Sequence, residues 1–163
     1  MLHPSQEMTP GNPSVLTARR SAIKTYTLSD EAKEEYLDGV AAALERHPEI
    51  LFAYVFGSFL EDMPFRDLDI AVYVSSEVLQ SSPFRYEDSL AQEIADQLAV
   101  PYPIDLRILN EASVSFQFHV VRGRLLVDRN PGLRLARLTA IVSRYLDRKS
   151  FLRHYVREAY GRA

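Results

Sequence analysis

The chain has 163 residues, of which 47% are hydrophobic and 25% charged, carries a formal net charge of −3 and contains no cysteine. That balance fits one globular domain with a core of its own. It excludes disulfides, thiolate metal sites and cysteine nucleophiles, and it suits a reducing cytoplasm. The longest apolar run, Ile50–Phe56, is far too short to span a membrane. The opening "MLHPSQEMTPGNPS" has neither the basic start nor the apolar centre of a secretory signal.

Residues 1–28 hold prolines at 4, 10 and 13 without a clear period and read as a mobile N-terminal extension. From the N-cap Ser29, apolar side chains recur at Ala32, Tyr36, Val40, Ala43 and Leu44, the spacing of an amphipathic helix that ends at His47-Pro48. Ile50–Phe56 reads as a buried strand closed by Gly57-Ser58, and Asp69–Val74 as a second. Ser82-Pro83 opens a helix with Leu90, Ile94 and Leu98 as its stripe, which Pro101 and Pro103 break. Ile104–Leu109 reads as a third strand. Val114–Val121 suits a short helix and Leu125–Val127 a brief strand. Asn130-Pro131 opens a long helical region with Leu135, Leu138, Val142 and Tyr145, then Leu152, Tyr155, Val156 and Ala159, and a bend is expected near Lys149-Ser150. The picture is an α/β core over 29–128 with a helical arm over 129–163. Charge divides at the same place. Residues 1–128 carry 10 basic and 20 acidic side chains, residues 129–163 nine and two, so a basic arm follows an acidic body.

The stretch "YVFGSFLEDMPFRDLDIAVYV" concentrates the chemistry. Residues two apart in a strand share a face, so Asp67 and Asp69 point one way while Leu68 and Ile70 point the other. Two adjacent carboxylates repel, and burial raises the cost of ionising both. A divalent cation with hard oxygen ligands removes that conflict, and Mg²⁺ typically takes one or two carboxylates plus substrate phosphates. Asp105 lies on the face of the third strand opposite Ile104 and Leu106. If that strand lies beside the Asp69 strand, three carboxylates converge, and Asp105 is placed to accept a proton from an attacking hydroxyl. Gly57 lets backbone approach a ligand closely, and Ser58 adds a hydroxyl for an anion. Arg66 and Arg107 flank the carboxylates, either as phosphate counter-charges or simply as ion pairs with an aspartate. A lone Gly-Ser is a common turn and a lone Asp-x-Asp often a solvated strand end; the ordered combination carries the signal.

Other chemistries find no support. His3, His47, His119 and His154 lack metal-ligand spacing, "VFGSF" lacks the second glycine of a nucleophile elbow, and no Walker-type loop occurs. The aromatics Phe116, Phe118, Tyr145, Phe151, Tyr155 and Tyr160 suit core or partner packing better than base stacking, and the acidic net charge weakens direct nucleic-acid binding.

The order Gly57-Ser58, spacer, Asp67-x-Asp69, later Asp105 resembles the nucleotidyltransferase superfamily typified by DNA polymerase β, and within it the minimal nucleotidyltransferases (MNT). The likeness extends through "FHVVRGRLLVDRNP" and the C-terminal "ARLTAIVSRYLDRKSFLRHYVREAY", which is similar to the last helices of MNT antitoxins that pair with HEPN-domain toxins; it covers roughly residues 30–160. The resemblance implies a small mixed β-sheet flanked by helices, with a C-terminal arm for docking a partner. It implies Mg²⁺-dependent transfer of AMP from ATP to a tyrosine hydroxyl of the HEPN toxin, with neutralisation as the outcome. Gly57, Ser58 and Arg66 would hold the nucleotide; Asp67, Asp69 and Asp105 would hold metal and complete catalysis. The spacer Phe59–Arg66 is shorter than is usual in the family and lacks its common glycine, so a tighter phosphate cradle is expected. Two alternatives stay open: an antitoxin that neutralises by docking alone, and a free-standing transferase acting on a small molecule. Self-association is left open too.

Overall fold

The computed structural model of the chain describes residues 24–160, with side chains to residue 154. Its elements run α1 (Asp30–Glu45), β1 (Ile50–Phe56), β2 (Leu68–Val74), α2 (Ser76–Ser81), α3 (Pro83–Leu98), β3 (Ile104–Ile108), α4 (Val114–Val120), β4 (Arg124–Asp128) and α5 (Pro131–Tyr160). The strands form one mixed sheet in the order β3-β2-β1-β4. β1 is antiparallel to both neighbours, while β2 and β3 are parallel and joined by the crossover through α2 and α3.

Both faces of the sheet are covered, so its central strands are apolar nearly throughout. Leu68, Ile70, Val72 and Val74 of β2 join Ala53 and Val55 of β1 in the larger core, against Leu37, Val40, Ala43 and Leu44 of α1 and Leu90 and Ile94 of α3. The opposite faces of the same strands supply Phe52, Tyr54, Phe56, Ala71 and Tyr73 to a second cluster under Val120 of α4. The pairing of β1 with β2 slips between Ile50 and Phe52. One extra residue reverses the in-out alternation, which places Ile50 in the larger core together with Ala53 and Val55.

Local signals account for most element ends. The Ser29 hydroxyl accepts a hydrogen bond from the Ala32 amide at 3.3 Å, and Asp30 and Glu31 follow in the first turn of α1. Ser113 caps α4 through the Phe116 amide in the same way. The short α2 was not foreseen: its one buried side chain is Val78, too little for a period to show. The Asn110 side chain bonds both the amide and the carbonyl of Val74, at 2.9 and 2.8 Å, and so closes the end of β2.

Two expectations about the flanks change. Residues 24–28, assigned by sequence to a mobile extension, lie on the core. Tyr26 exchanges two backbone hydrogen bonds with Phe65, of 2.8 and 3.0 Å, donates its hydroxyl to the Pro101 carbonyl at 2.7 Å, and packs its ring on Phe65 and Tyr102. The rest of that extension, 1–23, lies outside the described residues. At the other end, α5 runs through Lys149 and Ser150 as one helix. Ile141 is its buried anchor, whereas Leu135, placed by periodicity on the inner stripe, is 53% exposed. A ring stack of Phe118 on Tyr145, with centroids 3.8 Å apart, ties α4 to α5. Tyr155, Val156, Ala159 and Tyr160 lie where side chains are not described. Among the described residues no helix is long and apolar enough to cross a membrane.

Candidate active site

The site forms where the C-terminal end of β1 meets the N-terminal ends of β2 and β3. Phe56 stands opposite Asp69 in the β1–β2 ladder, and Asp69 is in register with Asp105 across the parallel β2–β3 pair. The conditional placement of the third strand is therefore met: Asp69 and Asp105 are side-by-side neighbours on the face that carries Ala71 and Tyr73 further along β2.

Gly57 leaves β1 with φ +78°, and a Cβ added there would lie 2.2 Å from Asp69 Oδ2. A side chain would both strain the backbone and strike the carboxylate, so only glycine lets the chain turn this close to it. Ser58–Leu60 then makes a single 3-10 turn, with the Leu60 amide bonding the Gly57 carbonyl at 3.2 Å. Phe59 and Phe65, at the two ends of the short spacer, are both buried and meet edge to face with centroids 4.9 Å apart. The spacer is pinned inward at both ends, and its exposed middle, Glu61–Pro64, is all that remains of the loop. That pinning fixes where Arg66, exposed, and Asp67, half-buried, emerge.

Asp69 has the most perturbed carboxyl of the group. Burial first, then the charges of Asp67 and Asp105, push it up to about 6, with Arg66 pulling partly the other way. Asp105 is engaged differently: Arg107 Nε donates to its Oδ1 at 2.7 Å, and both side chains are about half exposed. Such a pair contributes at most about 1 kcal/mol and yields easily to a competing charge. Among the described residues no group of three or more His, Cys, Asp or Glu side chains is already placed to hold a metal ion. The chemistry of the donors nevertheless suits a divalent cation. Asp67 and Asp69 offer hard oxygens, and Asp69 carries negative charge that its surroundings do not balance.

An open cleft of about 460 Å³ begins at Asp69 and Asp105. Its lining is completed by Glu87 of α3 and Arg107, by Phe56, Ile108, Ala112 and Phe116, and by Ser113. Glu87 accepts the Ile108 amide at 2.6 Å and so holds the outer edge of β3 to α3. Gln117, buried, donates to the Leu109 and Asn110 carbonyls at 2.9 and 3.3 Å and fixes the loop that presents Ser113 and Phe116. None of Glu87, Ser113 or the cleft-lining role of Phe116 was visible in sequence, because each is brought in by helix packing and not by a spacing. His47 bonds Glu49 and Glu93, and the His119 ring meets Phe56 edge-on.

A profile of the family described as "Polymerase beta, Nucleotidyltransferase" matches residues 39–132, which span β1, β2, β3 and β4 together with the site. No curated protein matches the chain. Among solved structures, a chain of the toxin–antitoxin MntA–HepT superposes with a TM-score of 0.58 at 19% identity, covering 78% of this chain and 99% of that one. A complex of a tri-AMPylated Shewanella oneidensis HEPN toxin with an MNT antitoxin gives 0.58 at 19% identity, over 79% of this chain and 99% of that chain. A toxin–antitoxin structure with AMP-PNP gives 0.56 at 21% identity, over 82% and 100%. At these identities the likeness speaks for a shared fold.

Proposed function

From the premise that this chain belongs to the polymerase beta nucleotidyltransferase family, we propose that it transfers AMP from ATP to a tyrosine hydroxyl of a HEPN-domain toxin and thereby silences it. The observation that carries the reading is the juxtaposition of Asp69 and Asp105 across β2 and β3, with Gly57 pressed against the Asp69 carboxylate. The MNT–HEPN complexes that share the fold, one of them AMPylated, support the choice of acceptor.

In this reading Gly57 and Ser58 orient the β- and γ-phosphates, and Arg66 offsets their charge. Asp67 and Asp69 would hold a Mg²⁺ ion, which would supply positive charge for the triphosphate and for the charge that develops on the transferred phosphoryl. Asp69 must be ionised to serve, and at about 6 its carboxyl gives up its proton readily near neutral pH. Asp105 accepts the proton of the attacking hydroxyl. Arg107 sits beside it as a counter-charge that a phosphate can draw away. The arm from residue 129 docks the partner. Leu146, Phe151 and Leu152 are each more than half exposed there, among Arg144, Arg148, Lys149 and Arg153. ATP supply places the pair in the cytoplasm.

That exposed apolar and basic surface also favours a second reading, an antitoxin that acts by docking alone. Docking leaves the electrostatic cost at Asp69 without a use, so transfer is preferred. The test is label movement from α-labelled ATP with Mg²⁺, with and without the cognate HEPN protein, for wild type and Asp67→Ala/Asp69→Ala. Label on the partner with wild type alone supports transfer; a tight complex that never becomes labelled supports docking.

A further inference from the structure

Three buried rings of the larger core each stand a few residues from one part of the candidate site. Phe59 follows Gly57-Ser58, Phe65 precedes Arg66 and Asp67, and Tyr102 precedes Asp105. They meet in pairs, with centroids 4.9 Å apart for Phe59 and Phe65 and 5.0 Å for Phe65 and Tyr102. Tyr26 joins them from a segment that precedes α1. Its ring lies 6.0 Å from that of Phe65 and 5.5 Å from that of Tyr102. Its polar groups reach the same two stretches of chain. The Tyr26 amide donates to the Phe65 carbonyl at 2.8 Å, the Phe65 amide donates back at 3.0 Å, and the Tyr26 hydroxyl donates to the Pro101 carbonyl at 2.7 Å. One residue thus ties the chain entering β2 to the chain entering β3.

That tie falls where the ladder of the sheet stops. Pairing of β2 with β3 begins at Leu68 and Ile104, and the Leu68 amide bonds the Pro103 carbonyl at 2.9 Å. The ladder therefore fixes Asp69 against Asp105. Arg66 and Asp67 lie before it and belong to neither strand pair of β2. What holds Asp67 is the chain on its two sides: Leu68 in the sheet, and Phe65 in its bridge to Tyr26. Lys33 Nζ also holds the spacer, at the Glu61 carbonyl, but the exposed residues 62–64 separate that contact from Arg66. Mg²⁺ demands near-ideal octahedral placement of its oxygens, so a carboxylate whose backbone drifts binds it poorly.

We propose that Tyr26 is a positioning residue for the candidate site. By joining Phe65 to Pro101 it fixes where Asp67 stands relative to Asp69, which makes residues 24–28 part of the framework of the site. The proposal rests on the reading that Asp67 and Asp69 hold a divalent cation with the nucleotide, and it does not depend on which hydroxyl accepts AMP.

Binding of the Mn²⁺–AMP-PNP complex to the full chain, read by enhancement of water-proton relaxation, tests this without turnover. Circular dichroism shows which variants are folded at the working temperature. Tyr26→Ala is expected to weaken binding about tenfold, the scale for groups that support metal ligands. Tyr26→Phe keeps the ring and both backbone bonds and loses only the bond to Pro101. It should fold as wild type and weaken binding about two- to threefold. In an Asp67→Asn background either change should cost nothing further, because its effect runs through Asp67. A general loss of stability would act equally in both backgrounds. Wild-type affinity in either folded variant overturns the proposal, and so does an equal loss with and without the Asp67 carboxylate. Wild type that fails to bind the Mn²⁺–AMP-PNP complex is a different result: it sinks the cation reading itself, and the proposal with it.

Discussion

The two faces of β2 differ in how completely they are satisfied. On one, Leu68, Ile70, Val72 and Val74 are at most 1% exposed and fill a core with partners from α1 and α3. On the other, Ala71 and Tyr73 are covered, but Asp69 stands at the strand's start with a carboxyl that burial and two neighbouring carboxylates make costly to ionise. The same seven residues thus carry a finished surface and an unfinished one. The finished face explains the fold, and the unfinished one asks for a cation and a phosphate. Sequence that departs from good packing sits where function is.

That contrast breaks down or sharpens under substitution. Asp67→Ala should cut transfer by roughly 10³-fold, the scale of a lost charge-stabilising contact, while urea unfolding of the free chain changes little. Ile70→Ala, on the finished face, should cost about 2–5 kcal/mol of stability, read in the same unfolding experiment. If Ile70→Ala were mild, the two faces would not differ as described. Gly57→Ala places a Cβ at φ +78° and 2.2 Å from Asp69 Oδ2, so a loss of about 1–3 kcal/mol should accompany lost nucleotide binding.

A smaller effect is the pH dependence of the free chain. In the folded state Asp69 titrates at about 6 against an ordinary 3.8, so between those values the folded form binds more protons than the unfolded one. The Asp69 contribution to stability is therefore fullest below pH 4, falls as pH rises to about 6, and then levels. Asp69→Asn should remove that fall and, after screening at a half-buried site, stabilise the free chain at pH 7 by about 1 kcal/mol. A variant less stable than wild type at pH 7 would contradict the electrostatic account. Smallest of all, Arg107→Ala should change stability by less than about 1 kcal/mol, measured by thermal unfolding.

Much of this was legible in sequence, for identifiable reasons. Ile50–Phe56 is nearly all apolar because β1 is central and covered twice, and the same holds from Leu68 to Val74. Gly57 and the paired aspartates break those runs, and a break in a pattern is visible. The register that sets Asp69 beside Asp105 was conditional in sequence, since which strands are neighbours depends on the crossover through α3. Glu87 and Ser113 were hidden because α3 and α4 deliver them through packing. The docking of Tyr26 was hidden likewise, since its partner Phe65 lies beyond a helix and a strand. On α5, Leu138, Val142 and Tyr145 of the stripe read from periodicity are partly buried, whereas Leu135 is exposed and the buried residue is Ile141, between them.

The central claim is that the carboxylates of Asp67 and Asp69, at the start of β2, are completed by a cation and a triphosphate. It is tested most directly by following the Asp69 side-chain carboxyl with ¹³C NMR across pH, in the free chain and with Mg²⁺ and AMP-PNP. A midpoint near 6 is expected in the free chain, dropping to the ordinary value of about 3.9 or below when the ligands are present. A midpoint that stays near 6 while AMP-PNP is bound would contradict it.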